Sequence, residues 1–595
     1  MADILVSERG GRRWWVRRAA AEPLLADGWP PFLDGPLAGP DRPPAGRSPM
    51  AGEGPAYLTV VKRGRHRTVS RFEVAGRTYY VKAYACPSGW RGLGRRLRAL
   101  FGVGPGRREW EALLAAKAAG LDVPEPVALG RGTDERLVTA GVPDGERLDE
   151  YLFERYFEPL PGDPPYPGAR PPELIAAFRV RRPPPAGTID PKTLAYRLAN
   201  LVAHLADADL YLPDLHPGNI LIAGLPGRWR LYLVDLAEAV RPAPAEAVLR
   251  HLVRLEHFFE PIASAVERLR CLQRLSELVG DVPAAPVIPR ATARYRRRFY
   301  RRRDRRTRRQ SKYFRRLSAG GWEGWATADW APRIEQLLHQ GDPTTDPARA
   351  RPVKQGRTAG VWRVTLEDGR SLFVKRHKLA RDRSSMRTSR SIAAFRKGHA
   401  LLIRGIATAR PAAAVDRRQG GRLVDTLLLT EPVEGGEPLS DWLRRGPRAA
   451  DRRRIARRLA RMIRQLHEAG FSHRDLKAPN ILIAPADGPA ARPILVDLDG
   501  LARDRRVSPS RRVQNLTRLS VSLDEWGVAR ATDRLRFLRA YLATPGCLAP
   551  IATRSRHRGC TEPGERLRRW WWRIARTSAK KMEILRQKQQ GTART

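Results

Sequence analysis

Residues 472–483 read SHRDLKAPNILI, and residues 211–222 read YLPDLHPGNILI. Each stretch carries an aspartate, an asparagine five residues later, and an apolar run typical of a β-strand. A helical pattern with leucines three and four residues apart precedes each stretch, over 454–471 and 193–210. An isolated turn of this kind is usually only a polar loop, so its repetition within one chain is what gives the pattern weight.

The likeness between the two parts of the chain extends to both sides of these stretches. Upstream, Lys82 in RTYYVKAY and Lys375 in RSLFVKRH each lie near the end of a strand-like run. Downstream, the apolar runs RLYLVD and PILVD end in Asp235 and Asp497. Only 13 of the 111 basic residues are lysines, so two lysines at equivalent places do not follow from composition. The sequence therefore predicts an internal duplication.

Four residue types recur in the same order in both copies: a strand lysine, a loop aspartate, an asparagine and an aspartate after a strand. Phosphoryl transfer from ATP uses such a set, because a lysine binds the α- and β-phosphates and amide and carboxylate oxygens bind Mg²⁺. The loop aspartate orients the attacking hydroxyl and accepts its proton. The candidate residues are Lys82, Asp214, Asn219 and Asp235 in the first copy and Lys375, Asp475, Asn480 and Asp497 in the second.

This order resembles the protein-kinase-like superfamily, whose signature joins a strand lysine, H-R-D-x-x-x-x-N and D-F-G. The second copy contains the complete catalytic loop from His473 to Asn480, and has Asp497-Leu-Asp in place of Asp-Phe-Gly. The segments KRGRHR and KQGRTAG lack the G-x-G-x-x-G loop, and no Ala-Pro-Glu motif follows Asp497. The chain is therefore less similar to eukaryotic protein kinases.

Residues 350–540 resemble the bacterial lipopolysaccharide kinase family, which phosphorylates Kdo or heptose in the lipid A inner core. The resemblance rests on VKRH with Lys375, on SRSIAAFRKGHALLIRGIATARPAA at 389–413, on the catalytic loop, and on RVQNLTRL at 512–519. Residues 50–280 resemble the same family more loosely. The resemblance implies an α+β fold of two tandem bilobal protein-kinase-like domains, each with a β-rich N-lobe and a helical C-lobe.

The resemblance also implies an enzyme that uses ATP and Mg²⁺ to phosphorylate a hydroxyl, most simply of a lipopolysaccharide inner-core sugar. The second copy is expected to be the active one, because the first has Leu212-Pro213 instead of His-Arg before Asp214. Two alternatives stay open. One is a protein Ser/Thr kinase, and the other is a pair of pseudokinases that forms a scaffold at an anionic membrane surface.

The helix that follows the strand lysine differs between the copies. In the first copy, Glu109 is the expected ATP-site partner of Lys82, with Glu111 as the second choice. Alignment of Gly120 with Gly405 puts Ala394 and Arg396 at these two places in the second copy. No carboxylate is evident there for Lys375.

The composition bounds the class of protein. An apolar fraction of 42% excludes global disorder, and a length of 595 residues predicts more than one domain. The net charge of +49 points to an anionic partner. Four cysteines without metal-ligand spacing favour a reducing compartment. With neither a signal peptide nor a run of about 18 apolar residues, we expect a cytoplasmic protein, at most peripheral at the inner membrane.

The predicted organisation has five parts. They are an N-terminal extension, partly flexible (1–50), kinase-like domain 1 (51–285, with a Pro-rich insertion at 154–191), an Arg-rich helical connector (286–345), kinase-like domain 2 (346–550) and a basic C-terminal tail (551–595).

The Arg-rich run from Arg290 to Arg316 contains 15 basic residues and one acid, Asp304. Contact with an anionic membrane, contact with nucleic acid, and a helix with its aromatic side chains packed inward are the three hypotheses. The chain has no nucleic-acid-binding motif, so nucleic acid is not an expected partner.

Overall fold

A computed structural model of the protein describes residues 4–26, 29–34, 58–64, 67–84, 104–159, 178–180, 184–260, 262–356, 358–378, 389–543 and 563–592. The chain divides into two compact units, Met1–Phe157 with Val180–Tyr295 and Glu158–Arg179 with Arg296–Thr595. Most of the predicted Pro-rich insertion and the first part of the predicted C-terminal tail lie outside the described residues, as do Cys86, Cys547 and Cys560.

The first unit begins with a seven-stranded antiparallel sheet in the strand order β1-β2-β6-β7-β5-β4-β3. One face buries Trp14 and Phe72 in an apolar cluster that includes side chains of helix α1 (Arg18–Ala26). Helix α2 (Pro105–Ala118) packs against β6 and β7. The strands are β1 (Ile4–Arg9), β2 (Arg12–Arg17), β3 (Thr59–Arg63), β4 (Arg67–Val74), β5 (Arg77–Tyr84), β6 (Pro126–Arg131) and β7 (Glu135–Ala140).

The remainder of the first unit is mainly helical. Its helices are α3 (Leu148–Tyr156), α4 (Pro191–Asp207), α5 (Ala247–Phe259), α6 (Ala265–Leu278) and the first part of α7 (Val287–Asp304). Short strands accompany them: β8 (Glu146–Arg147), β11 (Ile220–Ala223) and β12 (Arg230–Leu233). Strands β9 (Phe157–Pro159) and β10 (Phe178–Val180) pair with each other and lie mostly in the segment Glu158–Arg179 of the second unit. Strands β8, β11 and β12 form a three-stranded sheet whose central strand, β11, directly follows the predicted catalytic turn of this copy.

The second unit begins with a seven-stranded sheet in the order β13-β14-β18-β19-β17-β16-β15, which is the strand order of the first unit. Helix α8 (Ala331–His339) packs on β13 and β14, and helix α9 (Arg390–Leu402) packs on β18 and β19. The strands are β13 (Phe314–Ala319), β14 (Trp322–Thr327), β15 (Ala350–Gln355), β16 (Ala359–Thr365), β17 (Ser371–His377), β18 (Pro411–Gln419) and β19 (Arg422–Thr430).

The helical part of the second unit surrounds an apolar cluster in which Trp442, Ile463 and Phe471 are fully buried. Its helices are α10 (Leu439–Arg444), α11 (Ala449–Glu468), α12 (Pro509–Glu525), α13 (Ala531–Leu542) and α14 (Pro563–Thr592). Its strands are β20 (Glu437–Pro438), β21 (Phe471–His473), β22 (Ile481–Ala484), β23 (Arg492–Leu495) and β24 (Leu501–Arg503).

The predicted domain boundaries are wrong at two hairpins. Both lie in segments that were placed outside the kinase-like domains, but both are part of the seven-stranded sheets. Strands β1 and β2 come from the predicted N-terminal extension, and β13 and β14 from the predicted helical connector. Both hairpins turn at two glycines with positive φ, Gly10-Gly11 and Gly320-Gly321, as a two-residue turn of this hand requires. The alternating apolar side chains of β14 then pair with β18, which extends the sheet.

The predicted C-terminal tail also needs correction. Helix α14 packs against α12, and Leu567, Trp570 and Trp571 lie against the apolar cluster of the helical part. Its aromatic residues therefore belong to the core of the second unit, because they cover apolar surface of neighbouring helices.

The Arg-rich run is helical over α7 and contributes contacts inside the second unit. Its one acid, Asp304, accepts hydrogen bonds from Arg404 at 2.8 and 3.0 Å and from Arg503 at 2.6 Å. The Arg404 guanidinium also lies 4.5 Å from the ring centroid of Tyr300. Part of the run therefore has a structural role within this unit.

Candidate active site

Strand β17 carries Lys375 into the site of the second unit. Side chains alternate along a strand, so the buried Leu372 and Val374 face the apolar side of the sheet and Lys375 faces the other side. Its Nζ lies 2.6 Å from Oδ1 of Asp497 and 2.5 Å from Oδ2 of Asp499. Burial lowers the pKa of Lys375, but the charges of Asp499 and Asp497 outweigh burial and raise the pKa, so this lysine is a fixed cation.

The main chain at Asp497 is held by the histidine of the catalytic loop. Asp497 has φ +60°, a left-handed conformation, and its carbonyl oxygen accepts a hydrogen bond of 2.9 Å from Nε2 of His473. The other ring nitrogen, Nδ1, accepts from the main-chain N–H of Asp475 at 3.1 Å. These two bonds require the neutral Nε2–H tautomer, and burial lowers the pKa of His473 in agreement.

Gly500 lets this histidine approach. A Cβ at Gly500 would lie 2.7 Å from Cε1 of His473, closer than any real contact. The glycine of Asp497-Leu-Asp-Gly is therefore required by the packing of the His473 ring, and the main-chain N–H of Arg474 donates to its carbonyl oxygen at 2.7 Å.

The catalytic loop brings Asp475 and Asn480 together. Nδ2 of Asn480 donates to the main-chain oxygen of Asp475 at 2.9 Å and to its carboxylate Oδ2 at 3.2 Å. Lys477 places its Nζ 2.8 Å from the same carboxylate oxygen. Burial raises the pKa of Asp475, but the hydrogen bond and charge of Lys477 outweigh burial and lower the pKa, so the carboxylate is ionised at neutral pH.

Helix α12 supports this loop at both ends. Oδ1 of Asn515 accepts from the main-chain N–H of His473 at 2.8 Å, and Oγ of Ser522 accepts from that of Ala478 at 2.9 Å. Because the two residues are seven apart, they lie on the same face of the helix. The catalytic loop is thus fixed by a rigid element.

Oxygen atoms suited to a divalent cation are present in this unit. Both hydrogen bonds of the Asn480 amide use its nitrogen, so its oxygen is directed to neither of them. Lys375 uses one of the two carboxylate oxygens of Asp497. Within the described ranges no group of three or more His, Cys, Asp or Glu side chains could hold a metal by itself. The two residues fit Mg²⁺ that shares its coordination with phosphate oxygens and water.

Asp499 is a residue of this site that the sequence analysis did not single out. Besides Lys375, it lies 3.4 Å from Nε2 of His377. Burial raises the pKa of Asp499, but the hydrogen bond and charge of His377 and the charge of Lys375 outweigh it and lower the pKa to about 2. Helix α9 places the buried side chain of Ala394 in the apolar cluster, as aligned, and so supplies no carboxylate there.

In the first unit, the strand lysine has a partner on a helix. Lys82 forms an ion pair with Glu109, which is fully buried on α2. The phenol of Tyr84 donates to the second oxygen of Glu109, and the main-chain N–H of Leu236 donates to the first at 3.3 Å. The structure therefore brings together the two residues that the sequence pairs.

The predicted metal-binding aspartate of the first unit has a different partner. Nη1 and Nη2 of Arg67 donate to the two carboxylate oxygens of Asp235 at 2.5 and 2.7 Å. Asn219 donates to the main-chain oxygen of Asp214 at 3.0 Å, as in the second unit. The side chain of Asp214, however, is 72% exposed, and Nε2 of His216 lies 3.6 Å from its Oδ2. These residues do not fit a divalent cation, because a guanidinium occupies both oxygens of Asp235.

Comparison with known proteins places this geometry in a family. Residues 347–541 match the model of the lipopolysaccharide kinase (Kdo/WaaP) family. The 3-deoxy-D-manno-octulosonic acid kinase of Stenotrophomonas maltophilia (strain K279a) is 34% identical over 212 residues, 33% of this chain and 80% of that protein. The chain belongs to the lipopolysaccharide kinase (Kdo/WaaP) family. The predicted family, kinase-like fold and phosphotransferase activity are thereby confirmed.

Two other members of the Kdo/WaaP family match a similar share of the chain. The 3-deoxy-D-manno-octulosonic acid kinase of Xylella fastidiosa (strain M12) is 30% identical over 207 residues, 32% of this chain and 79% of that protein. The lipopolysaccharide core heptose(I) kinase WaaP of Pseudomonas aeruginosa (strain PAO1) is 30% identical over 200 residues, 30% of this chain and 73% of that protein. A solved structure of WaaP in complex with acyl carrier protein has 24% identity and a TM-score of 0.31, and the match covers 42% of this chain and 95% of that one.

Strand register relates the first unit to the family-matched second unit. Lys82 pairs with Val69 and Lys375 with Val361, so Arg67 corresponds to Ala359 and Tyr84 to His377. The aspartates after the strands align as Asp235-Leu-Ala and Asp497-Leu-Asp, so Ala237 corresponds to Asp499. The site residues of the second unit thus have counterparts in the first. The carboxylate beside the lysine, however, comes from helix α2 in the first unit and from the segment after β23 in the second.

Within the described part of the chain, no helix has the length and apolar character needed to cross a membrane.

Proposed function

We propose that the second unit transfers the γ-phosphoryl group of ATP to a hydroxyl of a lipopolysaccharide inner-core sugar, Kdo or heptose. The observation that carries the proposal is the connected set formed by Lys375, Asp497, His473 and Asp475, in which each member contacts the next. Family relatives that match this unit are named as kinases of these two sugars.

In this proposal, Lys375 binds the α- and β-phosphates, and Asp475 accepts a hydrogen bond from the acceptor hydroxyl. The hydroxyl oxygen forms a bond to the γ-phosphorus while the bond from that phosphorus to the β–γ bridging oxygen breaks. ADP leaves with the bond electrons, and the hydroxyl proton passes to the carboxylate of Asp475. Asn480 and Asp497 would hold Mg²⁺, which would supply positive charge to offset the charge that develops on the phosphate.

We assign the reaction to the second unit because its Asp497 keeps a carboxylate oxygen that Lys375 does not use. In the first unit, Arg67 holds both oxygens of the equivalent Asp235. A cation would have to displace a bidentate, partly buried guanidinium, which is costly.

The test is transfer of labelled phosphate from ATP to extracted lipopolysaccharide by the full-length chain. We expect label in the glycolipid, and a loss of about 10²- to 10⁴-fold in kcat for Asp475→Asn, which removes the proton acceptor. The matched control is Asp487→Asn, since Asp487 is 78% exposed and pairs only at the surface with Arg445. Label in a protein instead of the glycolipid would favour a Ser/Thr kinase. Absence of both transfer and Mg²⁺-dependent ATP binding would favour a pseudokinase scaffold.

We further propose a cytoplasmic protein that contacts the inner membrane peripherally. The support is the exposure of Arg301 and Arg302 on α7, together with the net charge of +49. Each basic residue near an anionic surface contributes about 1 kcal/mol. Sedimentation with vesicles containing anionic lipid should fall for the double Arg301→Gln, Arg302→Gln variant, and unchanged sedimentation would contradict the role of this helix.

A further inference from the structure

Helix α12 presents a basic side chain between the two residues that support the catalytic loop. Asn515 and Ser522 hold the loop at its two ends. Arg518 lies three residues after Asn515 and four before Ser522, so it shares their face of the helix, and it lies close enough to Asp475 for the two charges to interact. The position of Arg518 is therefore set by the same rigid element that sets the position of the catalytic loop.

Arg518 has an unused donor at this place. Its Nη1 is buried and has no hydrogen-bond partner among the residues that the structure describes. A buried, unpaired guanidinium nitrogen is costly, because it gives up hydration without compensation. Such a group is suited to a ligand that brings its own acceptor oxygens.

Other cations surround the same point. Burial lowers the pKa of Arg518, and the charges of Arg511 and Arg474 lower it further, while Asp475 raises it. Burial and the charge of Arg518 also lower the pKa of Lys581 on α14, with Glu525 and Asp475 opposing. The area beside the catalytic aspartate therefore has an excess of positive charge, which attracts anions.

We propose that Arg518, with Lys581, binds an anionic group of the acceptor and so positions its hydroxyl at Asp475. The proposal rests on the proposed kinase function and names the substrate class as an acidic sugar, with a carboxylate or phosphate near the phosphorylated hydroxyl. A guanidinium matches either group, since both offer two oxygens in a plane that it can bind side by side. In the proposed function the ATP phosphates bind Lys375, so Arg518 is assigned to the acceptor instead.

Lys581 and its neighbour Lys580 can be compared to separate local binding from a general effect of positive charge. Lys581 is half-buried beside Arg518, whereas its neighbour Lys580 is exposed to solvent. The two lysines carry the same charge and lie on the same helix, so they differ only in which side of the helix they occupy. A role of local acceptor binding requires Lys581, and a general effect of charge would be the same for both.

The experiment is steady-state kinetics of the full-length chain with inner-core acceptors that bear a carboxylate, a phosphate or neither. We expect Arg518→Ala to raise KM for the acidic acceptor by about 10- to 100-fold, with KM for ATP changed by less than about twofold. Arg518→Lys should recover part of the loss, because a point charge replaces a bidentate donor. Lys581→Gln should raise the acceptor KM, and Lys580→Gln should leave it unchanged.

The outcomes separate this inference from the proposed function. If the wild-type chain phosphorylates none of the acceptors, the proposed function is wrong. If it phosphorylates a neutral acceptor as well as an acidic one, or if Arg518→Ala changes KM for ATP and acceptor alike, the anionic subsite is wrong while the kinase function stands. A carboxylate and a phosphate acceptor with different sensitivity to Arg518→Ala would identify the anion.

Discussion

Nζ of Lys375 lies 2.5 Å from Oδ2 of Asp499, a carboxylate of the loop rather than of the helix. In the first unit the corresponding lysine, Lys82, pairs with Glu109 on the helix. The residue two positions after each lysine, Tyr84 or His377, also lies against that carboxylate. Since both arrangements fix the lysine from the same side of the strand, we infer that Asp499 replaces the helix glutamate.

Asp499→Ala should therefore impair the second unit by releasing Lys375. Without this partner the lysine pairs with Asp497 alone, and the two groups that should bind phosphate and metal neutralise each other. We expect kcat for phosphoryl transfer to fall by about 10- to 100-fold, the effect of losing one charge-assisted contact of about 1.5–3 kcal/mol. Radiometric transfer to lipopolysaccharide measures the change.

A helix glutamate should compensate for this loss. Ala394 corresponds to Glu109, so the double variant Asp499→Ala, Ala394→Glu should be more active than Asp499→Ala alone. Asp499→Glu serves as the conservative control that keeps the charge. Full activity of a folded Asp499→Ala protein would contradict the assignment, whatever the double variant does.

The lowered pKa of Asp499 also has a consequence for stability. Its folded pKa of about 2 lies below the ordinary value of about 3.9, because His377 and Lys375 outweigh the effect of burial. The ionised carboxylate therefore stabilises the folded chain by about 2 kcal/mol above about pH 5, and this contribution is lost as the pH falls toward 2. The difference in free energy of unfolding between wild type and Asp499→Asn should shrink over this range in urea titrations. A difference that is constant with pH would show that the carboxylate charge is not involved.

Arg67 should determine how the first unit responds to Mg²⁺. Since its guanidinium holds both oxygens of Asp235, Arg67→Ala should release an oxygen ligand for the cation. In a Lys375→Ala background, which silences the second unit, we expect ATP binding measured by calorimetry to gain about 10-fold from Mg²⁺ only when Arg67 is replaced. Arg71→Ala, on the same strand but exposed and paired with Glu73, is the matched control. Strong Mg²⁺ dependence with Arg67 in place would contradict the assignment.

The sequence predicted those site residues whose chemical type recurs at a fixed spacing within a short stretch of chain. The strand lysines, the Asp-x4-Asn turns and the aspartates after the strands are local patterns, and in the second unit contacts through His473 connect them. The Lys82–Glu109 pair was also predictable, because the resemblance implies a glutamate on the helix that follows the strand lysine. His473, whose ring hydrogen-bonds to the main chain of Asp497 and Asp475, was predictable only as part of the loop motif.

Asp499 was missed because its partner is 124 residues away and a different residue type usually stands at its place. Only the correlated absence of a carboxylate at Ala394 could have pointed to it. The hairpins at 4–17 and 314–327 were missed because they precede the predicted domains, although Gly-Gly between alternating apolar residues is a strong turn signal. Arg518 lies within RVQNLTRL, which contributed to the resemblance, but its role was not predicted because it depends on which face of α12 meets the loop.

Gly500 provides a final test of how the loop is held. Gly500→Ala would place a Cβ 2.7 Å from Cε1 of His473, so the imidazole must move and its hydrogen bond to the Asp497 carbonyl weakens. We expect kcat to fall by about 10- to 100-fold, because misplacing a reacting group by about 1 Å has an effect of this size. Gly564→Ala, in a helix where the added Cβ meets nothing within 4 Å, is the control. If Gly500→Ala retains full activity with an unchanged melting temperature, then the His473–Asp497 contact does not position the catalytic aspartates.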